Sequence, residues 1–161
     1  MEYELVKLPY FSNENVSVYT LTNTDSGISV FQKFIQENKD NFRREVEDIT
    51  KRILSFKEVG ARHNFFKHNE GKPADGVCAL YDKDESNLRL YCVRYGTVLV
   101  ILGGGGQKPK NTRAFQETTK LEDENQLMRD LSAEIEKRRR NGDIEFSKDF
   151  LDIEGDLLFN L

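Results

Sequence analysis

Residues 97–102 read Thr-Val-Leu-Val-Ile-Leu, and no other stretch restricts the fold as much. Side chains alternate across a strand, so a strand with one wet face carries a polar residue at every second position. Here both faces are apolar. Such a strand has to lie in the middle of its sheet or under helices on both sides. Two other apolar and aromatic runs lead into it, 77–81 and 88–94, separated by the polar run 82–87 (Asp-Lys-Asp-Glu-Ser-Asn). Tyr95-Gly96 joins the second run to the third. Both connections have the length and chemistry of hairpin turns. The chain from about 76 to 103 is thus predicted to be an antiparallel β-meander.

The flanking segments have helical and strand periods of their own. Residues 16–21 (VSVYTL) are β-branched and aromatic between turn-rich neighbours, and read as a first strand. Ser26 or Asp25 is placed to cap a helix in which Val30, Phe31, Phe34 and Ile35 recur at helical spacing. A second helix is expected from about Asp40, with Phe42, Val46, Ile49, Ile53 and Phe56 inward and Arg43, Arg44, Glu47, Asp48, Lys51 and Arg52 on a solvated face. Gly60 stops it. Residues 61–76 read as a loop, 103–110 (GGGGQKPK) as a flexible exit loop, and 123–140 as a third helix burying Leu127, Leu131 and Ile135. Its basic end, Lys137 to Arg140, suits the helix dipole, and Asn141-Gly142 breaks it. The acidic tail carries Ile153, Leu157, Leu158 and Phe159, enough to dock as a further strand. The fold class is α+β: an N-terminal strand and two helices, the meander, and a C-terminal helix. The 161 residues suit one domain with 143–161 as an acidic C-terminal extension.

Several classes are excluded or weakened. No apolar run approaches the roughly 20 residues of a membrane-spanning helix. The opening MEYELVKLPY has early acids and no basic region before an apolar core, unlike a signal peptide. Cytoplasmic residence is the expectation, with Cys78 and Cys92 as free thiols. The two could face one another on paired strands, but small buried residues are the favoured reading. Without CxxC spacing or clustered histidines, no metal and no cofactor are expected. Net charge is −4, which speaks against a strong polyanion binder. The acidity is uneven, however: residues 1–110 hold 16 basic against 15 acidic side chains, and 111–161 hold 8 against 13. Local patches, not the total, steer polyanions.

Chemistry concentrates around the meander. Strand alternation puts Arg89, Tyr91, Val93 and Tyr95 on one face. The loop after the next strand brings Lys108 and Lys110 to the sheet's edge, and the loop of Arg62, His63, Lys67 and His68 enters on the other side. These groups are predicted to converge on one cleft. Cleavage of RNA by its own 2′-OH requires a base, cations for the phosphorane and an acid for the leaving oxygen, and no metal. Arginine's rigid fork suits the phosphate, a lysine among cations has a lowered pKa, and a tyrosine stacks on bases or donates a proton. The plainer reading stands beside this one. Arg89 and Tyr91 also suit an ordinary solvated strand face, and Gly103 to Gly106 a hinge. The glycines are not a Walker A loop, because no Gly-Lys-Ser/Thr follows.

Strand, two helices, and a meander closing on a lysine-bearing turn resemble the RelE/ParE superfamily of bacterial toxins, in particular its HigB-like branch. Leu88-Arg89-Leu90-Tyr91 is similar to the family's apolar-Arg-apolar-Tyr strand, and 98–102 followed by 103–110 is similar to its apolar strand and lysine turn. The likeness covers roughly 15–120. It implies a metal-independent mRNA endoribonuclease acting at the ribosome, the toxin of a type II toxin–antitoxin pair with a helix-turn-helix antitoxin as partner. Arg89 would stabilise the scissile phosphate, Lys108 would act as base or phosphate clamp, and Tyr91 would stack or donate a proton. Arg62, His63, Lys67 and Lys110 would hold RNA phosphates. The sequence departs from the pattern in two places. Ala79-Leu80-Tyr81 stands where the family has Leu-Arg, and Pro109 interrupts the lysine pair. Two other readings remain open: a non-catalytic interaction module on the same fold, and a phosphate-binding enzyme using the glycine loop.

Overall fold

The computed structural model describes residues 1–68, 75–80, 85–109 and 114–161, the last segment without the side chains of 114–116. Among them are nine strands and three α-helices: β1 (Glu2–Lys7), β2 (Ser17–Asn23), α1 (Val30–Asn38), α2 (Arg43–Val59), β3 (Phe66–Lys67), β4 (Val77–Leu80), β5 (Leu88–Tyr95), β6 (Leu99–Gln107), α3 (Ala114–Asn141), β7 (Ile144–Phe146), β8 (Ile153–Gly155) and β9 (Leu158–Asn160). Seven strands form one sheet in the order β3-β4-β5-β6-β2-β1-β9, while β7 and β8 pair by themselves. Every pairing is antiparallel except β2 with β6.

The expected meander is present, and β6 is central as its two apolar faces require. Leu99 to Leu102 are fully buried. Val100 and Leu102 face the cluster under α1 and α2, with Phe34, Ile53 and Phe56. Leu99 and Ile101 face the cluster under α3, with Met128, Leu131 and Ile135. Cys78 and Cys92 do stand opposite each other across β4 and β5, both buried as free thiols.

Other boundaries move for identifiable reasons. Two strands, not one, precede the helices, because β1 pairs with β2 through Tyr3 to Lys7. The α1 cap is Ser29, whose Oγ accepts from the Gln32 amide at 3.0 Å. Ser26 instead holds the turn before it, accepting from the Ile28 amide. Helix α2 begins at Arg43 and ends, as expected, on Gly60 at φ 78°. Phe66 and Lys67 form a short edge strand within the expected loop. Helix α3 starts nine residues earlier than its apolar spacing suggested, at Ala114.

The largest difference concerns 103–106. These glycines are not a flexible exit loop. They continue β6, and they are buried. Their lack of side chains lets α3 lie close on the sheet. A Cβ at Gly103 would meet Met128, one at Gly104 would meet the Glu124 carboxylate, and one at Gly106 would approach the Lys120 stem at 3.3 Å. Lys120, Glu124 and Met128 are four residues apart, a single stripe of the helix. A bulge between Leu90 and Cys92 sets two residues, Gly103 and Gly104, against Tyr91.

The tail does dock, as three strands. β9 pairs with the outer edge of β1, where the Leu161 amide bonds the Met1 carbonyl at 2.9 Å. Arg138 stacks its guanidinium over Phe159 at 4.1 Å and ion-pairs with Asp156 at 3.6 Å. Lys7 pairs with Asp152. The end of the extension is thus part of the main sheet, at its β9 edge, while β7 and β8 form their own pair.

Candidate nucleic-acid interface

Antiparallel register places two of the expected residues together. Arg89 stands opposite Gly106, and the Lys108 amide donates to the Asn87 carbonyl at 2.8 Å. Residues facing each other across an antiparallel pair share a face, so Arg89, Gly106 and Lys108 lie on the α3 side, Arg89 and Lys108 as a diagonal pair. Both side chains are half-buried. The N-terminal part of α3 reaches the same end of the sheet, with Lys120 over Gly106. Lys110, Arg89's other expected neighbour on this side, lies outside the described residues.

Tyr91 is on this face too, but at 3% exposure it belongs to the core beneath α3. Its ring supports the bulge and has no open side to offer a base.

The remaining expected residues lie elsewhere. Arg62 and His63 are exposed in the turn before β3, and Lys67 is exposed on β3 itself. Of these, only His63 is in contact with Arg94, which sequence reasoning passed over, while strand pairing turns Lys67 to the opposite, α3 side. The Arg94 Nε donates to the Ala61 carbonyl at 3.0 Å, its guanidinium covers the Phe66 ring at 5.3 Å, and Nη1 is 3.5 Å from His63 Nδ1. Arg94 is five residues along β5 from Arg89, about 17 Å of extended chain, and alternation turns it to the α2 side. The single converging cleft expected from the sequence is therefore two separate patches, one at each end of β5. Arg94 carried a signal of its own: it is the one cation of β5 on the face shared with Leu88, Leu90 and Cys92.

A second ionic group lies deeper. Lys120 Nζ is 3.3 Å from Glu37 and 3.4 Å from Glu124, joining α1 to α3. Burial holds the Glu124 carboxyl above the usual carboxylate range, against the lowering effect of Lys120. The same carboxylates raise the Lys120 ammonium, although burial opposes them.

Two of the clefts on the described surface are lined by charged side chains other than Arg89. One of about 540 Å³ lies between the first turns of α2 and the start of β5, with Arg43, Arg44, Arg52 and Asn87 on its wall. Glu45 is fixed there by the Asn87 amide at 2.6 Å and Nδ2 at 3.0 Å. The other, about 580 Å³, runs along α3 past Asp75, Arg129, Glu136 and Tyr95. The Tyr95 hydroxyl is buried without a hydrogen-bond partner, and the Ser132 hydroxyl lining the same cleft donates to the Asp75 carbonyl at 2.6 Å.

Among the described residues, no group of three His, Cys, Asp or Glu side chains is arranged to hold a metal ion, and no helix is long and apolar enough to cross a membrane. Comparison with known proteins finds no matching family model, no matching curated protein and no matching solved structure.

Proposed function

We propose that this chain is the toxin-like component of a type II toxin–antitoxin pair and cleaves mRNA at the ribosome without a metal. The observation carrying the reading is the diagonal Arg89–Lys108 pair, half-buried on one face at one end of β5 and β6. A phosphodiester seated there would meet a guanidinium fork able to bind two of its oxygens. The 2′-hydroxyl, losing its proton to Lys108 or to water, attacks the neighbouring phosphorus; Arg89 stabilises the charge gathering on the equatorial oxygens, and the 5′-oxygen leaves with a proton supplied by water. Lys108 clamps the phosphate or takes the 2′ proton. Positioning by the ribosome relaxes the demand for a strongly basic surface, which a chain of net charge −4 does not have. The partner is a small helix-turn-helix antitoxin.

One observation favours the second reading, a non-catalytic interaction module. With Tyr91 sealed under α3, one of the groups expected to contact RNA is withdrawn. The glycine-loop enzyme has lost its premise, since the glycines lie inside β6 under α3.

Inducible expression in bacteria separates the two. Growth arrest with wild type and relief with Arg89→Ala/Lys108→Ala, together with mRNA cut at translated positions, supports the ribonuclease. Unimpaired growth with both soluble, folded proteins supports the module instead.

A further inference from the structure

Among the described residues, the patch around Arg94 holds cations with no anion. Arg94 is half-buried, yet among the described residues no carboxylate lies within ion-pair distance of Arg94 or of Arg62. Neutral groups do the fixing: the Ala61 carbonyl and the Phe66 ring for Arg94, and the Val59 carbonyl at 3.2 Å for Arg62. Partial burial of a guanidinium carries a desolvation cost that a nearby anion would offset.

Donor logic fixes the histidines. Arginine has no acceptor, so His63 Nδ1 accepts from Arg94 and carries its own proton on Nε2. The His63 carbonyl only accepts, so His68 Nε2 is the protonated nitrogen of the second ring, 3.0 Å away. The two rings stack at 3.8 Å, which holds His63 in place. The surface that results presents N–H groups of Arg94 and His63, with the exposed Arg62 next to His63 in the chain.

We propose that Arg62, His63 and Arg94 form a phosphate-binding subsite that grips the RNA backbone away from the Arg89–Lys108 pair. His68 is its positioning residue, acting through His63. This rests on the ribonuclease reading for the identity of the strand. The ligand chemistry, a phosphate oxygen meeting fixed N–H donors, rests on the patch alone. The subsite is one more grip on the strand, and it takes no proton.

The test uses the full chain and a 2′-O-methyl oligoribonucleotide, which cannot be cleaved, with affinity read by fluorescence anisotropy across a salt series. Arg62→Gln and His63→Gln alter exposed side chains, and Arg94→Lys keeps the charge while removing the fork. Each is expected to weaken binding about three- to tenfold. Arg62→Gln should also flatten the plot of log affinity against log salt by about 0.7, the slope for one phosphate on a single strand. Inorganic phosphate, followed by NMR at the His63 ring, forms the second arm. Unchanged affinity and slope in all three variants, while Arg89→Gln weakens binding, overturns the subsite. No oligonucleotide binding by wild type, with a saturable phosphate shift at His63 that Arg94→Lys abolishes, overturns the RNA strand as ligand and leaves a free-phosphate site. Absence of both overturns the whole proposal.

Discussion

The Glu124 carboxylate occupies the space in which a side chain at Gly104 would have to stand. Gly104→Ala therefore forces helix and sheet apart or pushes Glu124 out of its contact with Lys120. The expected loss is about 1–3 kcal/mol, the ordinary cost of overpacking, read from the urea midpoint. Glu124→Ala vacates the space. In the double variant the glycine substitution should cost markedly less than it does alone, and simple additivity would show that the contact does not limit the packing.

The same carboxylate imposes a pH dependence. Burial raises its folded pKa above the ordinary value of 4.5, so the folded state keeps its proton to higher pH than the unfolded chain does. Stability is then greatest below the unfolded value and falls as pH rises through the folded one. Glu124→Gln should remove that fall in a series of denaturation curves from pH 4 to pH 7. Persistence of the same slope in the variant would assign it to other carboxyls.

Tyr95 gives an alkaline counterpart. Burial, reinforced by Glu136, holds its phenol well above the usual value of 10.0. Above pH 10 the unfolded chain ionises first, and stability falls. Tyr95→Phe removes a hydroxyl that has no partner, so at pH 7 it should be neutral or stabilising by up to about 1 kcal/mol. It should also soften the alkaline fall. A loss of more than 1 kcal/mol at pH 7 would mean that the hydroxyl is satisfied in solution.

Phe159 anchors the tail, fully buried beneath the Arg138 guanidinium. Phe159→Ala is expected to cost about 3–5 kcal/mol, measured by thermal or urea unfolding. Removing 143–161 should yield an unstable chain and no gain in RNA binding, because the tail lies along β1 at the far side of the sheet from Arg89. A stable truncation that binds RNA more tightly would show instead that the tail restrains the RNA-binding face.

What could be read from the sequence was what short periods encode. The apolar run 97–102, the helical spacing of Val46, Ile53 and Phe56, and the stop at Gly60 needed only local geometry. The glycine run was misread because its conformation is set from outside. Glycine favours a loop, and only the helix stripe of Lys120, Glu124 and Met128, more than ten residues downstream, requires a bare strand. β1 was missed for a similar reason: its pairing with β2 and with residues 158–160 is invisible to any window. At the candidate site, alternation put Arg89 on its face correctly. It could not disclose that α3 buries Tyr91, or that His63 turns towards Arg94 at the opposite end of β5.

The pairing of β1 with β9 has a consequence in time. β1 emerges before the rest of its sheet during synthesis and can soon acquire β2 on one side, but its other edge stays unpaired until residues 158–160 exist. At roughly 5–20 residues per second, that wait is about 8–30 s. Throughout it the nascent chain displays an open strand beginning Glu-Tyr-Glu. The two acids are what an exposed edge needs to discourage pairing with the wrong neighbour.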